Sequence, residues 1–448
     1  MKNFKTHFWQ LGKISLPLTL ATASGTILIF IDSLFATRVS IETYEAVFLT
    51  LPIMGLSMGI GVGLAAAVAD LISKEKEVVN IKRLVAASCL LALLCILGFL
   101  YIAIFQADLI ERVAGIHKLP EDSEIASEFR SYWKVILWTF PMQIFFALTV
   151  QFLTILEKQK AGTFIIIAIM TINVILDYVF TQVFQWGAEG LAYSTMGVFS
   201  AGVLLSCIPL RKETYFHLPY PTIFNRPFFQ AFTKMSVMTF LIFLTVAIFS
   251  ISAMVLNQIA IGISTSALVI FAVYTQIMRV IIITTRGLGG GFIIYLGNAL
   301  RDKNTEEYYP IYWAATAWIA VAQVIGAILM FVFPSTLINF FENIDTALIP
   351  DLIYCLAMGA LILIVFILPR MAVIGFISIN KPVFMVLHSI IFVSMHLSLA
   401  YYWTRTGDVK GIIQAELVTA AATTLLTVPI FFYFLGRAKK EDTLMENI

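Results

Sequence analysis

The sequence is poor in charged residues, cysteine and histidine. Only 12% of its 448 residues are charged and 60% are hydrophobic, whereas a soluble domain has roughly 25% charged residues. The four cysteines and five histidines are scattered along the chain, without the spacing of a metal site. The composition therefore predicts a polytopic membrane protein with reduced cysteines and no metal cluster.

The sequence also lacks the motifs of common enzymes. It contains no GxxxxGK[ST], HExxH or GxSxG pattern, so we expect no ATP-hydrolysing domain and no familiar hydrolase. An intramembrane enzyme would need a nucleophile with its base or a metal constellation, and the sequence shows neither. We predict that the protein is not an enzyme, has no cofactor and binds no nucleic acid.

Long apolar stretches recur along the whole chain. A membrane-spanning helix needs about 20 mainly apolar residues, and twelve windows meet that requirement. They are residues 15–36, 46–72, 84–105, 127–153, 162–183, 188–210, 232–261, 267–297, 308–333, 352–378, 382–403 and 411–435. We predict an all-helical integral membrane protein with twelve transmembrane helices.

The basic residues indicate the orientation of these helices. Most of the 29 lysines and arginines fall in loops on the side of the N-terminus, and the opposite loops are acidic. By the positive-inside rule, both termini are cytoplasmic. No cleavable signal peptide is evident. We expect a multi-pass protein of the inner or plasma membrane.

The two halves of the sequence resemble each other weakly. Gly190 and Gly411 pair at an offset of 221, as do Lys160 and Lys381. Six spans repeated in parallel orientation are typical of a two-lobed transporter that rocks around a substrate held between its lobes. We predict two pseudo-symmetric six-helix lobes around a central cavity. The predicted segments are an N-terminal lobe at 1–210, a cytoplasmic linker at 211–230, a C-terminal lobe at 231–436 and a cytoplasmic tail at 437–448.

Two carboxylates, Asp32 and Asp177, lie inside predicted spans. Ionisable groups at this depth are costly and usually mark a functional site. Asn173 precedes Asp177 by one helical turn, so the two side chains project from one face of the helix. The plainer alternative is that Asp177 caps a helix or pairs with an arginine.

Several segments resemble the multidrug and toxic compound extrusion (MATE) transporters of the MOP flippase superfamily. They are Pro17 with the Ile31-Asp32-Ser-Leu-Phe segment, Gly61-Val-Gly63, Asn173-Val-Ile-Leu-Asp177-Tyr and the segment from Gly187 to Thr195. The resemblance is closest to the DinF-type and archaeal branch. It implies a cation site at Asp32, Asn173, Asp177 and Thr195 with Tyr132 nearby, and antiport in which H⁺ or Na⁺ drives export of an organic substrate.

The residue types suit this role. Two buried carboxylates repel each other when both are ionised, so such a pair readily takes up a proton or Na⁺. Asn173, Thr195 and Tyr132 would add neutral oxygens, which hard cations prefer. Apart from Na⁺ at this site we expect no metal. Pro17 removes a backbone hydrogen bond and bends its helix; the bend either couples the site to lobe shape or is a static kink.

The C-terminal lobe lacks the paired carboxylates. By the repeat offsets, Asp32 corresponds to about Gln258 and Thr195 to Glu416. Arginines also lie in the spans of this lobe, and a buried arginine must be paired or hydrated. Either Glu416 pairs with one of them, or they line the cavity and attract an anionic group. The possible polar site here comprises Glu416, Arg370, Arg279 and His396.

We therefore predict a secondary multidrug efflux transporter that works as a monomer among membrane lipids and exports small lipophilic cations. The alternative is a flippase for a lipid-linked oligosaccharide or another anionic lipid, which the arginines favour. A major-facilitator transporter also has twelve spans, but its Gly-x-x-x-Asp-Arg loop is absent from residues 73–83.

Overall fold

A computed structural model describes residues 2–73, 75, 77–120, 122–156, 158–211, 213, 225–379 and 381–446. Within these ranges some side chains, among them that of Pro17, are not described. The described residues form α-helices joined by short turns and contain no strand. The helices are α1 (Lys2–Val39), α2 (Ile41–Ser73), α3 (Val78–Phe105), α4 (Ala107–Ala114), α5 (Glu124–Ile136), α6 (Thr139–Ile155), α7 (Gln159–Tyr178), α8 (Gly187–Leu210), α9 (Arg226–Ile263), α10 (Thr265–Ile282), α11 (Thr284–Arg301), α12 (Tyr308–Val332), α13 (Pro334–Ile338), α14 (Ile349–Val365), α15 (Ile367–Ser378), α16 (Pro382–Trp403) and α17 (Lys410–Glu446).

Many of these helices could cross a membrane. Of the described residues, ten helices are long and apolar enough, or up to eleven if the bent pair α5 and α6 is one span. Helix α1, in which several side chains are not described, is not one of these ten. The prediction of an all-helical membrane protein is confirmed.

Three predicted spans are interrupted. The window 267–297 is divided at Ile283, and a proline follows each of the other two interruptions. The window 127–153 is divided into α5 and α6, which meet at 49°, and Pro141 cannot donate to the carbonyl of Leu137. The window 352–378 is divided at Phe366, and Pro369 cannot donate to the carbonyl of Val365. A missing backbone donor of this kind ends or kinks a helix.

The helices form two compact units. One unit is Ile31–Gln258, and the other is Met1–Phe30 together with Ile259–Ile448. The first part of α1 therefore packs with the C-terminal helices, and most of α9 packs with the N-terminal helices. The predicted linker falls largely on residues 212 and 214–224, which lie outside the described residues, and the lobe boundaries stay a prediction.

In the first unit, α2 and α9 approach closely along a row of glycines. Gly55, Gly59 and Gly63 recur every fourth residue on one face of α2. A Cβ atom at Gly63 would lie 2.8 Å from the carbonyl oxygen of Thr239, and one at Gly59 would lie 2.8 Å from Cγ1 of Val246. We call this row and the α9 residues that it contacts the glycine seam. Only glycine allows backbone-to-backbone packing of this kind.

In the second unit, the start of α1 is buried among C-terminal helices. Leu11 belongs to one cluster with Phe292, Tyr312 and Phe431, all fully buried. The indole of Trp318 donates to the carbonyl oxygen of Phe8 at 2.7 Å, and the two rings stack at 4.5 Å. Aromatic packing thus fixes the first turns of α1 in this unit.

Candidate cation site

Four polar residues meet inside the first unit. The Nδ2 group of Asn173 donates to Oδ1 of Asp32 at 3.0 Å. The hydroxyl of Thr195 is shared between Oδ2 of the same carboxylate at 3.0 Å and the carbonyl oxygen of Leu191 at 2.9 Å. Asp177 lies one turn after Asn173 on α7. We call Asp32, Asn173, Asp177 and Thr195 the carboxylate site.

The carboxylate site is sealed from solvent and incompletely hydrogen-bonded. Asp177 is 0% exposed and Asp32 is 4% exposed. Neither carboxylate oxygen of Asp177 has a hydrogen-bond partner among the described residues, and Oδ1 of Asn173 has none either. Buried oxygens without a donor are costly. They suit a bound proton or alkali cation, because either would neutralise charge and satisfy these oxygens.

The backbone around Asp177 departs from a regular α-helix. Residues Val179–Val183 form a π-helical turn directly after α7, and the hydroxyl of Thr181 donates to the carbonyl oxygen of Asp177 at 2.6 Å. A π-turn inserts an extra residue and often accompanies a functional site. Here it follows the turn that carries Asn173 and Asp177.

The other residues predicted for this site are placed differently. Tyr132 on α5 is fully buried, and its hydroxyl donates to Sδ of Met54 at 4.0 Å rather than to a residue of the carboxylate site. The backbone of Pro17 lies within α1, and its side chain is outside the described residues.

Two relevant polar residues were absent from the predicted site. Ser194 is fully buried, and its hydroxyl lies 3.5 Å from Nδ2 of Asn173; its position beside Thr195 was the available sequence signal. Glu45 on α2 is 2% exposed, and its Oε1 has no partner among the described residues. It lies at the edge of a predicted span, where charges are ordinary, so the sequence gives no signal for its burial.

The polar residues predicted for the C-terminal lobe contact different partners and do not form one cluster among the described contacts. The hydroxyl of Tyr274 donates to Oε2 of Glu416 at 3.0 Å, and among the described residues Glu416 has no arginine partner. Nη1 of Arg370 donates to Thr285 at 3.0 Å. Nε2 of His396 lies 3.1 Å from the carbonyl oxygen of Ile412, one turn before Glu416. Arg279 lies on α10, in the turn before the break with α11.

The position that corresponds to Asp32 in the second repeat has a structural role. Nε2 of Gln258 donates to the carbonyl oxygens of Arg112 and Val113 at 3.0 and 2.9 Å. Nζ of Lys118 donates to the carbonyl oxygen of Gln258 at 3.0 Å. Gln258 thus satisfies carbonyls at the end of α4, which explains why an amide occupies this position.

The family comparison agrees with this architecture. Residues 17–179, which include Asp32, Asn173 and Asp177, match the MatE family model. The match covers about a third of the chain, and the solved structures below show that the chain has the fold of MATE transporters. The MatE family is a transporter family, which agrees with the prediction that the chain is not an enzyme. No curated protein sequence matches it.

Solved MATE structures superpose on nearly the whole chain. An inward-facing multidrug resistance MATE transporter of the MOP superfamily has a TM-score of 0.79 at 17% identity and covers 93% of this chain and 96% of its own. An outward-facing one has a TM-score of 0.78 at 18% identity, with 96% of each chain covered. A MOP superfamily transporter from Pyrococcus furiosus Vc1, for which reversed polarity of the binding pocket suggests a different function, has a TM-score of 0.80 at 18% identity, with 97% of each chain covered. At such identities the similarity shows the fold, and the DinF-type branch stays a prediction.

Proposed function

We propose that the protein is a cation-coupled antiporter that exports small organic molecules by alternating access. The observation that carries this proposal is the buried carboxylate of Asp177. Neither of its oxygens has a hydrogen-bond partner among the described residues, whereas Asp32 in the same site is hydrogen-bonded. A buried pair of this kind binds H⁺ or Na⁺ and releases it when water reaches it. Coupling follows when the two ion-occupancy states favour different conformations.

The carboxylate site holds the coupling ion through its own residues. Asn173 donates to Asp32 and Thr195 shares its hydroxyl between Asp32 and the carbonyl oxygen of Leu191, and both stabilise the ionised form of Asp32. Neither oxygen of Asp177 has a hydrogen-bond partner among the described residues. The two carboxylates therefore have unequal surroundings, and Asp177 is the group that a proton or cation would neutralise. Abundant phenylalanine and methionine, 37 and 16 residues, suit lipophilic cationic substrates.

Transport by reconstituted protein tests the proposal. Proteoliposomes with an imposed pH or Na⁺ gradient should move ethidium, and Asp32→Asn and Asp177→Asn should each abolish the gradient-driven component. Asp108→Asn, which changes an exposed carboxylate on α4, is the matched control and should transport normally. Normal transport by both site variants would refute cation coupling at this site.

A second candidate is a flippase for an anionic lipid. Arg370 and Arg279 lie within apolar helices, and the Pyrococcus furiosus relative is described as having a pocket of reversed polarity. Both arginines are half-buried, and a guanidinium binds carboxylate or phosphate in two-pronged geometry. Gradient-independent movement of a fluorescent anionic lipid between leaflets, lost in Arg370→Gln and retained in Asp32→Asn, would favour this function over antiport.

A further inference from the structure

A buried histidine lies near the start of α1, in the second unit and outside the carboxylate site. His7 is 3% exposed, and α11 and α12, which it contacts, belong to the same unit. Its Nε2 atom is sealed from solvent and has no hydrogen-bond partner among the described residues. A buried polar atom without a partner is costly. In the predicted orientation this end of the unit is cytoplasmic.

Contacts with α11 determine which ring nitrogen of His7 carries the hydrogen. Nδ1 of His7 lies 2.9 Å from the hydroxyl oxygen of Tyr295, and the two rings meet edge to face at 5.5 Å. The Tyr295 hydroxyl donates its one hydrogen to Oε1 of Gln10, so toward His7 its oxygen can only accept. The neutral imidazole therefore carries its hydrogen on Nδ1, and Nε2 keeps an unshared lone pair.

The lone pair of Nε2 faces a carboxylate. Nε2 of His7 lies 4.0 Å from Oε1 of Glu307, the residue immediately before α12. Both atoms are acceptors while the imidazole is neutral, so no hydrogen is available to join them. One proton on Nε2 supplies it, and a side-chain movement of about 1 Å then gives a charge-assisted hydrogen bond. The side chain of Glu307 is 32% exposed, so water reaches the pair from that side.

Other charged groups at this end are exposed, half-buried or held by their own contacts. Asp442 on α17 accepts from the hydroxyl of Tyr308 at 2.7 Å, and Nζ of Lys439 lies over the ring of Tyr309 at 5.7 Å. The ring of His7 thus has one acid and one phenol against it among the described contacts. The other described charges of the first turns of α1 and of the turn between α11 and α12 are exposed or half-buried: Lys5, Lys13, Asp302, Lys303 and Glu306.

The helix that carries His7 contributes to both units. Its residues up to Phe30 belong to the second unit, and from Ile31 onward it belongs to the first unit, where it carries Asp32. Phe8, next to His7, is already held by a hydrogen bond of 2.7 Å from the indole of Trp318. A further bond that depends on charge would therefore change how firmly the start of this helix is held in the second unit.

We propose that His7 and Glu307 form a proton-binding site that fastens the start of α1 to the turn before α12. Nε2 of His7 takes a proton from hydronium, leaving water, and the new N–H donates to Oε1 of Glu307. Because histidine is the side chain that changes charge between pH 5 and 8, the bond forms at acid pH and is lost at alkaline pH on the N-terminal side of the membrane. The site goes beyond the proposed antiport and does not depend on its coupling ion.

A double-mutant cycle at two pH values tests the site. In the purified full-length protein at pH 5, His7→Phe and Glu307→Ala should each lower the melting temperature, with about 2–4 °C due to the lost charge-assisted bond. The double variant should not lose this increment twice, because both changes remove the same bond. At pH 8 the imidazole is neutral, so the coupling between the two positions should disappear. Equal coupling at both pH values, or none at either, would overturn the inference.

Glu306→Ala is the matched control for this cycle. It removes an exposed carboxylate that directly precedes Glu307 in the chain, and with it the same charge. It should show no coupling with His7→Phe at either pH. Coupling as large as that of Glu307→Ala would mean that any negative charge in this turn acts on His7, and the proposed site would be wrong.

Nitrogen NMR of protein with isotope-labelled histidine shows the position of the hydrogen directly. The resonances that His7→Phe removes should be those of an imidazole with its hydrogen on Nδ1 at pH 8 and those of an imidazolium at pH 5. Tyr295→Phe removes the acceptor of Nδ1 and should abolish the preference for this tautomer. A hydrogen on Nε2 at alkaline pH, or a ring that stays neutral at acid pH, would overturn the inference.

Discussion

At the scale of single residues, the surroundings of Asp32 and Asp177 differ although both are buried carboxylates. Asp32 accepts two hydrogen bonds, from Asn173 and Thr195, whereas both oxygens of Asp177 lack a described partner. Hydrogen bonds to a carboxylate stabilise its charged form. The asymmetry assigns the ionised role to Asp32 and the ion-accepting role to Asp177, within the function that we propose.

Thr195 provides a test of this asymmetry. Thr195→Val keeps the shape of the side chain and removes the donor to Asp32. Because a hydrogen bond to a charged group contributes about 1.5–3 kcal/mol, we expect gradient-driven transport to fall about tenfold or more, and Thr195→Ser to restore it. The melting temperature of each purified variant shows whether the fold is retained. Full activity in a folded Thr195→Val variant would contradict this role of the hydroxyl.

The sequence predicted which residues form the carboxylate site better than it predicted the buried polar residues around that site. Asn173 and Asp177 share a helical turn, which a sequence shows directly, and Asp32 stands out as a carboxylate inside a predicted span. The MATE resemblance supplied Thr195. Glu45 was missed because hydropathy places it at a span edge, where charges are ordinary. Its burial depends on the packing of distant helices, which cannot be read from local sequence.

At the scale of elements, the glycine seam determines how closely α2 and α9 pack. Its glycines are spaced by four residues and so lie along one face of α2. The helices were predictable because hydropathy over about 20 residues is a local property. The interruptions at Leu137 and Phe366 were not predicted, although Pro141 and Pro369 are visible in the sequence, because a proline within a span either kinks the helix or divides it.

Substitution of Gly63 tests the seam. Gly63→Val would bring side-chain carbon within 2.8 Å of the carbonyl oxygen of Thr239, and overpacking of this kind costs about 1–3 kcal/mol. Gly98 on α3 is the control, because a Cβ there would meet nothing within 4 Å. Gly98→Ala should keep or raise stability, by up to about 1 kcal/mol. In thermal unfolding experiments in detergent, only Gly63→Val should have a lowered transition temperature. Equal transition temperatures in the two variants would show that the seam is not tightly packed.

At the scale of the whole molecule, the helices of the repeats are exchanged between the compact units. The first 30 residues pack with the C-terminal helices, while α9 packs with the N-terminal ones as far as Gln258. Each of these two helices thus connects the units covalently. A division of the sequence at the linker cannot show this exchange, because the repeat pattern records which segments are alike and not which segments touch.

Membrane orientation is the remaining property of the whole molecule that the sequence predicts. An even number of spans puts both termini on one side, and the basic loops place that side in the cytoplasm. In a variant without native cysteines, Asn343→Cys between α13 and α14 should react with a membrane-impermeant maleimide in intact cells. Asn304→Cys between α11 and α12 should react only after permeabilisation. Both positions are exposed, so labelling depends on the side of the membrane. If Asn304→Cys reacts in intact cells and Asn343→Cys does not, the orientation is reversed, and the site at His7 and Glu307 would lie on the external side.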